Sequence, residues 1–153
     1  MSFSLTAITG SAQTGLTSPT YTPTADTAPD SNGKSYAITA LGGTQTGVTT
    51  HSVSSPFSLT FWRPKILRAI GRLNNNGVLV ANPKNTFSMI TRKGVTPLAG
   101  QAAEIMVIKT EISVPAGAEN YDFANVAAAL SAHIGALSQA SAGVGDTAKT
   151  GIM

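Results

Sequence analysis

The sequence predicts an α+β protein, in which a run of antiparallel strands is followed by one long and one short C-terminal helix. Apolar and polar residues alternate in several segments before Val114, which is the pattern of strands with one buried face. The apolar spacing changes to a helical period from Phe123 onward. An Asn76-Gly77 pair between two extended segments is a hairpin signal and favours antiparallel pairing. We expect a single domain over residues 1–153.

Residues 1–56 are predicted to form short strands joined by a hairpin and long polar loops. Alternation over residues 3–7 predicts a first strand. Residues 9–33 are rich in Thr, Ser, Pro, Gly and Asp, which predicts an extended hairpin or loop with little core of its own. Residues 34–41 and 44–52 are two further strand candidates, separated by a Gly-Gly turn.

Residues 57–115 carry the strongest strand pattern and are predicted to form the main sheet. Phe57, Leu59 and Phe61 alternate with polar neighbours and Trp62, and Pro64 then interrupts the ladder. Further extended segments are predicted at residues 66–73, 78–81, 85–93 and 105–114. Alternation in the last of these places Val107, Lys109 and Glu111 on one face of the sheet.

Residues 119–153 are predicted to be helical. Asn120 is the expected N-cap of the long helix, and Asp146 is expected to cap a last short helix over residues 147–150 that ends at Gly151. The apolar stripe of the long helix consists of Phe123, Val126, Leu130, Ile134 and Leu137. Because a single long helix covers a sheet face poorly, we expect a partner's helix to complete the cover in a homodimer.

The composition limits the possible functions. Only 11% of residues are charged, against about 25% in ordinary domains. A weakly charged surface suits a protein covered by copies of itself, although a Ser/Thr-rich surface domain fits equally well. The absence of cysteine excludes a disulfide framework, a thiolate metal site and a cysteine nucleophile.

The positive charge is concentrated in the middle of the chain. No acidic residue lies between Trp62 and Glu104. This window holds Arg63, Lys65, Arg68, Arg72, Lys84, Arg92 and Lys93. A patch of one sign predicts a polyanionic partner, and we expect Arg63, Arg68, Arg72 and Arg92 to face RNA. The alternative is that they are solvated charges that protect strand edges from aggregation. Trp62 fits interface or core-edge packing better than base stacking.

The sequence gives no indication of an enzyme, a metal protein or a membrane protein. P-loop, GxGxxG, HExxH and GxSxG motifs are absent, and His51 and His133 lie far apart in the sequence. We therefore expect no catalytic residue, cofactor, metal or small-molecule substrate. Residues 1–10 lack the pattern of a secretory signal. Residues 123–145 are uncharged and long enough to cross a bilayer, but their polar residues favour a packed amphipathic helix.

The last third of the chain resembles the C-terminal part of coat proteins from levivirus-type single-stranded RNA bacteriophages. The resemblance rests on a last strand ending in Val114-Pro115, a short linker, a long helix, and a small second helix near Gly151-Ile152-Met153, where the family has an aromatic residue last. It implies an N-terminal hairpin, a five-stranded antiparallel sheet and two helices in an intertwined dimer. It further implies that dimers build an icosahedral shell, assembled in the bacterial cytoplasm, whose inner sheet face binds genomic RNA.

The resemblance also identifies candidate RNA contacts on the last strand. Counting back from Val114-Pro115, the family's RNA-facing positions fall on Val107, Lys109 and Glu111. A tyrosine that stacks on a base can occupy the place of Val107 in the family, so that contact is missing here. Two other functions remain open from the sequence, namely a secreted or surface β-rich filament module and a small RNA-binding regulator.

Overall fold

Six antiparallel strands form one sheet in the computed structural model, which describes residues 2–153. The strands follow one another across the sheet in chain order, so each pairs with its sequence neighbours. They are β1 (Ile8–Thr9), β2 (Thr17–Asp26), β3 (Gly33–Thr44), β4 (Phe57–Trp62), β5 (Lys84–Val95) and β6 (Glu104–Pro115). Three helices follow: α1 (Ala118–Tyr121), α2 (Phe123–Gln139) and α3 (Ser141–Thr150). The predicted α+β class, with an N-terminal hairpin, an antiparallel sheet and C-terminal helices, is confirmed.

The registers of β4, β5 and β6 divide the sheet into two faces. Arg92 pairs with Ser58 on one side and with Val107 on the other, so these three side chains share a face. We call this side the open face. Its residues are Ser58, Thr60 and Trp62 of β4, Thr86, Ser88, Ile90 and Arg92 of β5, and Val107, Lys109, Glu111 and Ser113 of β6. The opposite side, which we call the helix face, lies against the start of α2.

The helices begin over the helix face and reach back to the N-terminal hairpin. Phe61, Phe87 and Ile112 line a cavity of about 340 Å³ together with Val126 and Leu130 of α2. At the other end of α2, the Gln13 amide donates to the Ser141 carbonyl oxygen at 2.9 Å and to its hydroxyl at 2.6 Å. The turn between β1 and β2 is therefore hydrogen-bonded to the junction between α2 and α3.

The predicted N-terminal strand at residues 3–7 is wrong, because the first strand is β1. Phe3 instead stacks on Phe61 at 4.6 Å between ring centroids and meets Tyr36 edge to face at 6.2 Å. Residues 9–33, expected to form a hairpin or loop, contain the ten-residue β2, which pairs with β3.

Three further strand predictions, one in the first part of the chain and two in the main sheet, also fail. Residues 44–52 leave the sheet after Thr44, and the His51 backbone N–H donates to the Ile38 carbonyl oxygen at 2.8 Å. Residues 66–73 and 78–81 form no strand, and only an isolated bridge joins Leu73 to Leu79. Residues 63–83 are therefore one long excursion between β4 and β5.

The helix boundaries differ from the prediction at both ends. Asn120 is not the cap of the long helix, because residues 118–121 form the separate turn α1 and α2 begins after Asp122. The last helix starts at Ser141 instead of residue 147, and it ends at Gly151, whose positive φ of 73° closes the helix as predicted.

The buried core is small for a chain of this length. Only Tyr36, Ala37, Ile38, Leu59 and Ala116 are buried among the apolar residues, and Ile38 is the one side chain within residues 2–153 that is fully enclosed. The accessible surface is 10655 Å². A compact monomer of 15.6 kDa exposes about 7,200 Å², roughly 3,400 Å² less. Much of the apolar surface of this chain is therefore left for contacts with other molecules.

Candidate functional site

The open face carries three of the six predicted RNA-contact residues. Arg92 lies between Ser58 and Val107, and Lys109 pairs with Ile90 of the neighbouring strand. Glu111 is opposite Ser88. The surrounding side chains are hydroxyls and aliphatic groups, which offer hydrogen bonds and contact area to a polyanion without opposing its charge.

Lys109 and Glu111 form an ion pair on this face. The Lys109 ammonium lies 2.8 Å from a Glu111 carboxylate oxygen, and both side chains are 52% exposed. Two residues apart on one strand, they point to the same side, which brings the charges together. Glu111 therefore reduces the charge that Lys109 can offer to a phosphate, and Arg92 is the open-face cation in the described residues with no paired acid.

Arg68 belongs to a basic cleft at the end of the sheet, which the sequence analysis missed. Lys65, Arg68 and Lys84 line one cavity of about 640 Å³, together with Thr86 of the open face. The sequence held a signal for it: β4 and β5 are adjacent antiparallel strands, so cations at the two ends of the intervening excursion must come close. We call Lys65, Arg68 and Lys84 the basic cleft.

The buried side chain of Asn85 fixes the main chain at the basic cleft. Asn85 is only 4% exposed. Its Oδ1 accepts from the Arg68 backbone N–H at 2.8 Å, and its Nδ2 donates to the Arg68 carbonyl oxygen at 3.0 Å. Both main-chain groups of Arg68 are thus bonded to a side chain, which explains why residues 66–73 do not join a strand.

Lys65 also bonds an acid outside the cleft. Its ammonium lies 3.0 Å from the Asp30 carboxylate. The backbone N–H of Asn32 donates to that carboxylate, and this bond, with the Lys65 ammonium and the Asn32 side chain, lowers the Asp30 pKa to about 2. Asp30 therefore stays ionised and neutralises part of the positive charge of Lys65.

Arg63 and Arg72 lie apart from the other predicted RNA contacts. Arg63 follows β4 and lines a small cavity with Phe3 and Phe61, on the helix face. Arg72 is exposed on the excursion between β4 and β5. Neither Arg68 nor Arg72 is in a strand, although an extended segment was predicted at residues 66–73.

Lys93 follows Arg92 in β5 and points away from the open face. Its Nζ lies 5.1 Å from the centroid of the Phe57 ring and donates to the Thr49 hydroxyl at 2.9 Å. Burial against these groups lowers the pKa of Lys93.

Trp62 lies at the border of the open face and packs against backbone. A Cβ built on Gly33 would fall 2.7 Å from the indole ring, so only glycine permits this close approach. Gly33 and Trp62 are paired across β3 and β4. The packing agrees with the prediction that Trp62 lies at an interface or core edge.

The other predicted functional surface, the stripe on α2, is covered at only one end. Phe123, Val126 and Leu130 line the cavity against the sheet, although Phe123 is still 62% exposed. Ile134 and Leu137 do not line it and are 64% and 48% exposed. No residue of α2 is buried. All five predicted residues lie in one helix, and the residues described leave the second half of their stripe exposed.

The outer edge of β6 is also uncovered. Within residues 2–153, β6 pairs only with β5, so one edge of a twelve-residue strand has free backbone donors and acceptors. Ile105, Met106, Val107 and Ile108 are 45–57% exposed beside this edge. Long apolar edge strands invite pairing with another chain.

Residues 2–153 contain neither a metal-binding cluster nor a membrane-spanning helix. No group of three or more His, Asp or Glu side chains in residues 2–153 is placed to hold a metal ion. His51 accepts the Phe57 backbone N–H through Nδ1 at 3.1 Å, which is a structural role. No helix in the described part of the chain is long and apolar enough to cross a membrane.

Comparison with solved structures identifies a close relative. The virus-like particle of bacteriophage ESE020 matches with a TM-score of 0.96 and 59% identity, covering 100% of both chains. The virus-like particle of Wenzhou levi-like virus 4 matches with a TM-score of 0.46 and 18% identity, over 79% of this chain and 72% of that chain. No protein-family model and no curated protein matches the chain.

Proposed function

This chain belongs to the coat proteins of the levivirus-type RNA bacteriophages, and we propose that it forms intertwined dimers that build an icosahedral shell around single-stranded genomic RNA. The family makes it a structural protein of the virion. The observation that carries the proposal is the full-length match to a virus-like particle, joined to a chain that exposes roughly 3,400 Å² more than a compact monomer of its mass.

The proposed dimer joins two sheets through their β6 edges. Pairing of the two edges would bond the free backbone groups of β6 and shield Met106 and Ile108, which lie on the helix face and are 45% and 53% exposed. Large permanent interfaces bury about 2,000–5,000 Å² in total, which the excess exposed area of two copies can supply.

Exchange of helices between the two subunits would complete the same interface. Ile134 and Leu137 are apolar, exposed and on the stripe that begins at the cavity under α2. In the exchanged arrangement this stripe would lie over the partner's helix face, and the hydrogen bonds that the β1–β2 turn makes to α2 and α3 within one chain would be made between the two subunits. The partner's stripe would return the contact, as two-fold symmetry requires.

Substitution on the helix face of β6 tests the dimer. We expect Met106→Lys with Ile108→Lys to convert the dimer to a monomer, because two charges would be buried at the interface. The control is Val53→Lys, since Val53 is 102% exposed in a loop away from β6. Sedimentation of disassembled protein measures the mass. A double variant that sediments as a dimer like the control would contradict the β6 interface.

The proposed RNA contact is the open face together with the basic cleft. Arg92, Lys109, Arg68 and Lys84 supply positive charge there. Each contact with phosphate is weak and independent of sequence, but many copies in a closed shell act together on one long RNA. Glu111 beside Lys109 limits the affinity of each copy, which favours general packaging over tight binding at one subunit.

Packaged RNA tests this surface. We expect Arg92→Gln with Lys109→Gln to lower the 260/280 nm absorbance ratio of nuclease-treated particles and to reduce the salt dependence of RNA binding by about 0.7 in log–log slope per lost contact. Lys149→Gln, on α3, is the matched control. Arg63→Gln tests the sequence-based prediction that Arg63, which lies on the helix face, contacts RNA. Equal RNA content in the double variant and in Lys149→Gln would contradict the assignment.

Assembly in the bacterial host cytoplasm is part of the same proposal. A shell that gathers RNA through its open faces must close where that RNA is present. Particles isolated from bacterial cytosol, with RNA inside at the moment of lysis, would support this location. Particles that form only after the extract is mixed with added RNA would contradict it.

A further inference from the structure

A small hairpin at residues 72–80 projects from the excursion between β4 and β5. The Asn74 backbone N–H donates to the Val78 carbonyl oxygen at 2.8 Å, and the Gly77 N–H donates back to Asn74 at 3.0 Å. The Asn74 side chain accepts from the backbone N–H groups of Asn76 and Val78. Gly77 has a φ of 75°, as the turn requires. The tip is thus a defined structure.

The hairpin exposes apolar side chains that its own chain leaves uncovered. Leu73, Val78 and Val80 are 62%, 59% and 74% exposed, and Leu79 is 38% exposed. None of the four lines the cavity under α2. A two-stranded hairpin standing alone is marginally stable in water. Its stability therefore requires a cover from another molecule.

The chemistry of the hairpin selects the kind of cover. Arg72 at the base of the hairpin is its one cation. The remaining residues, 73–80, are Leu, Asn, Asn, Asn, Gly, Val, Leu and Val, with no charge and no aromatic ring. RNA is held by cations and by stacking rings, neither of which is present between Leu73 and Val80. An apolar surface of this kind fits another protein surface.

We propose that residues 72–80 form a contact between neighbouring dimers, with a second copy of this chain as the occupant. The proposal rests on the assembly proposed above and adds a second interface to it. The hairpin extends from the end of β4, within the sheet, whereas the dimer uses the outer edge of β6. One copy can therefore use both surfaces at once, which a closed shell requires.

A single introduced thiol tests the contact in assembled particles. The described chain has no free cysteine, so Val80→Cys supplies a unique reactive group. We expect maleimide to label it at least about tenfold more slowly in particles than in disassembled dimers, because the contact must open first. Equal labelling rates would overturn the proposal. Loss of protection in intact particles whose RNA has been removed by mild alkaline hydrolysis would also overturn it, because RNA would then be the cover.

Substitution tests whether the contact drives assembly. We expect Leu73→Ser with Val80→Ser to give folded dimers that form particles only at a concentration raised by roughly a hundredfold. Val53→Ser is the control, since that apolar residue is 102% exposed and lies in the loop at the opposite end of β4. Normal assembly of the double variant would overturn the inference alone. If the unmodified chain forms no particles, the proposed coat function itself fails.

Discussion

Replacement of Asn85 tests how the basic cleft is held in place. Asn85→Ala removes two hydrogen bonds to the main chain of Arg68, at 2.8 and 3.0 Å, from a side chain that is 4% exposed. It leaves the fold of β5 otherwise unchanged, because the strand pairs through its backbone on both sides.

The expected loss of stability follows from those two bonds. Each contributes about 1 kcal/mol net, and a buried group left without a partner costs about 1–3 kcal/mol. Arg68 borders an open cleft, so water can bond the main-chain groups that Asn85 releases. The total loss of stability should therefore be about 2 kcal/mol, the net contribution of the two bonds. For a chain of this length that corresponds to a fall in Tm of roughly 4–8 °C.

Thermal unfolding of disassembled protein, followed by circular dichroism at fixed concentration, measures this loss. Asn85→Asp keeps the acceptor for the Arg68 N–H but sets a buried carboxylate oxygen against the Arg68 carbonyl oxygen, so it should lose at least as much. Thr86→Ala, next in the chain and exposed, is the matched control. A loss in Asn85→Ala no greater than in Thr86→Ala would refute the role of Asn85 as the anchor of the cleft.

Three further predictions follow from single contacts. Glu111→Gln should strengthen RNA binding by disassembled dimers and raise its salt slope by about 0.7, because Lys109 is freed from its ion pair; an unchanged slope would contradict this. Because the Asp30 pKa is lowered from 3.8 to about 2, its contribution to stability is present above about pH 4 and is lost as the pH falls to about 2. Asp30→Asn should therefore flatten the acid limb of the stability curve, and parallel curves for the two proteins would count against it. Gly33→Ala should displace the indole of Trp62, the one tryptophan of the chain, and cost about 1–3 kcal/mol. Unaltered tryptophan fluorescence and Tm would show that the ring is not held there.

The sequence predicted elements whose pattern is local. The alternation around Ile108 and the helical stripe from Phe123 to Leu137 each lie within one element, and both β6 and α2 are present. Gly151 ends the last helix as expected, because a positive φ is a local requirement.

Predictions failed where a contact from a distant part of the chain decides the backbone conformation. Residues 66–73 have apolar residues suited to a strand, but the side chain of Asn85 takes both main-chain groups of Arg68. Residues 3–7 also alternate, but Phe3 stacks on Phe61 and holds the segment across the helix face. No local pattern contains either contact.

The candidate site also combines residues that a local pattern predicts with residues that only the fold brings together. The positions of Arg92, Lys109 and Glu111 on the open face follow from alternation along β5 and β6. The basic cleft depends on the return of the chain at Lys84 to the end of β4, which is a property of the topology. No local pattern around Lys65 or Lys84 shows that the two side chains share a cleft.

The most direct test of the coat-protein account is the state of this chain when it is produced alone in bacteria. Size-exclusion chromatography with absorbance at 260 and 280 nm, followed by electron microscopy, reports size and nucleic acid together. The account predicts uniform closed particles that contain nuclease-protected RNA. A small species free of nucleic acid, across a range of salt and protein concentration, would contradict it and would favour a different use of the exposed β6 edge.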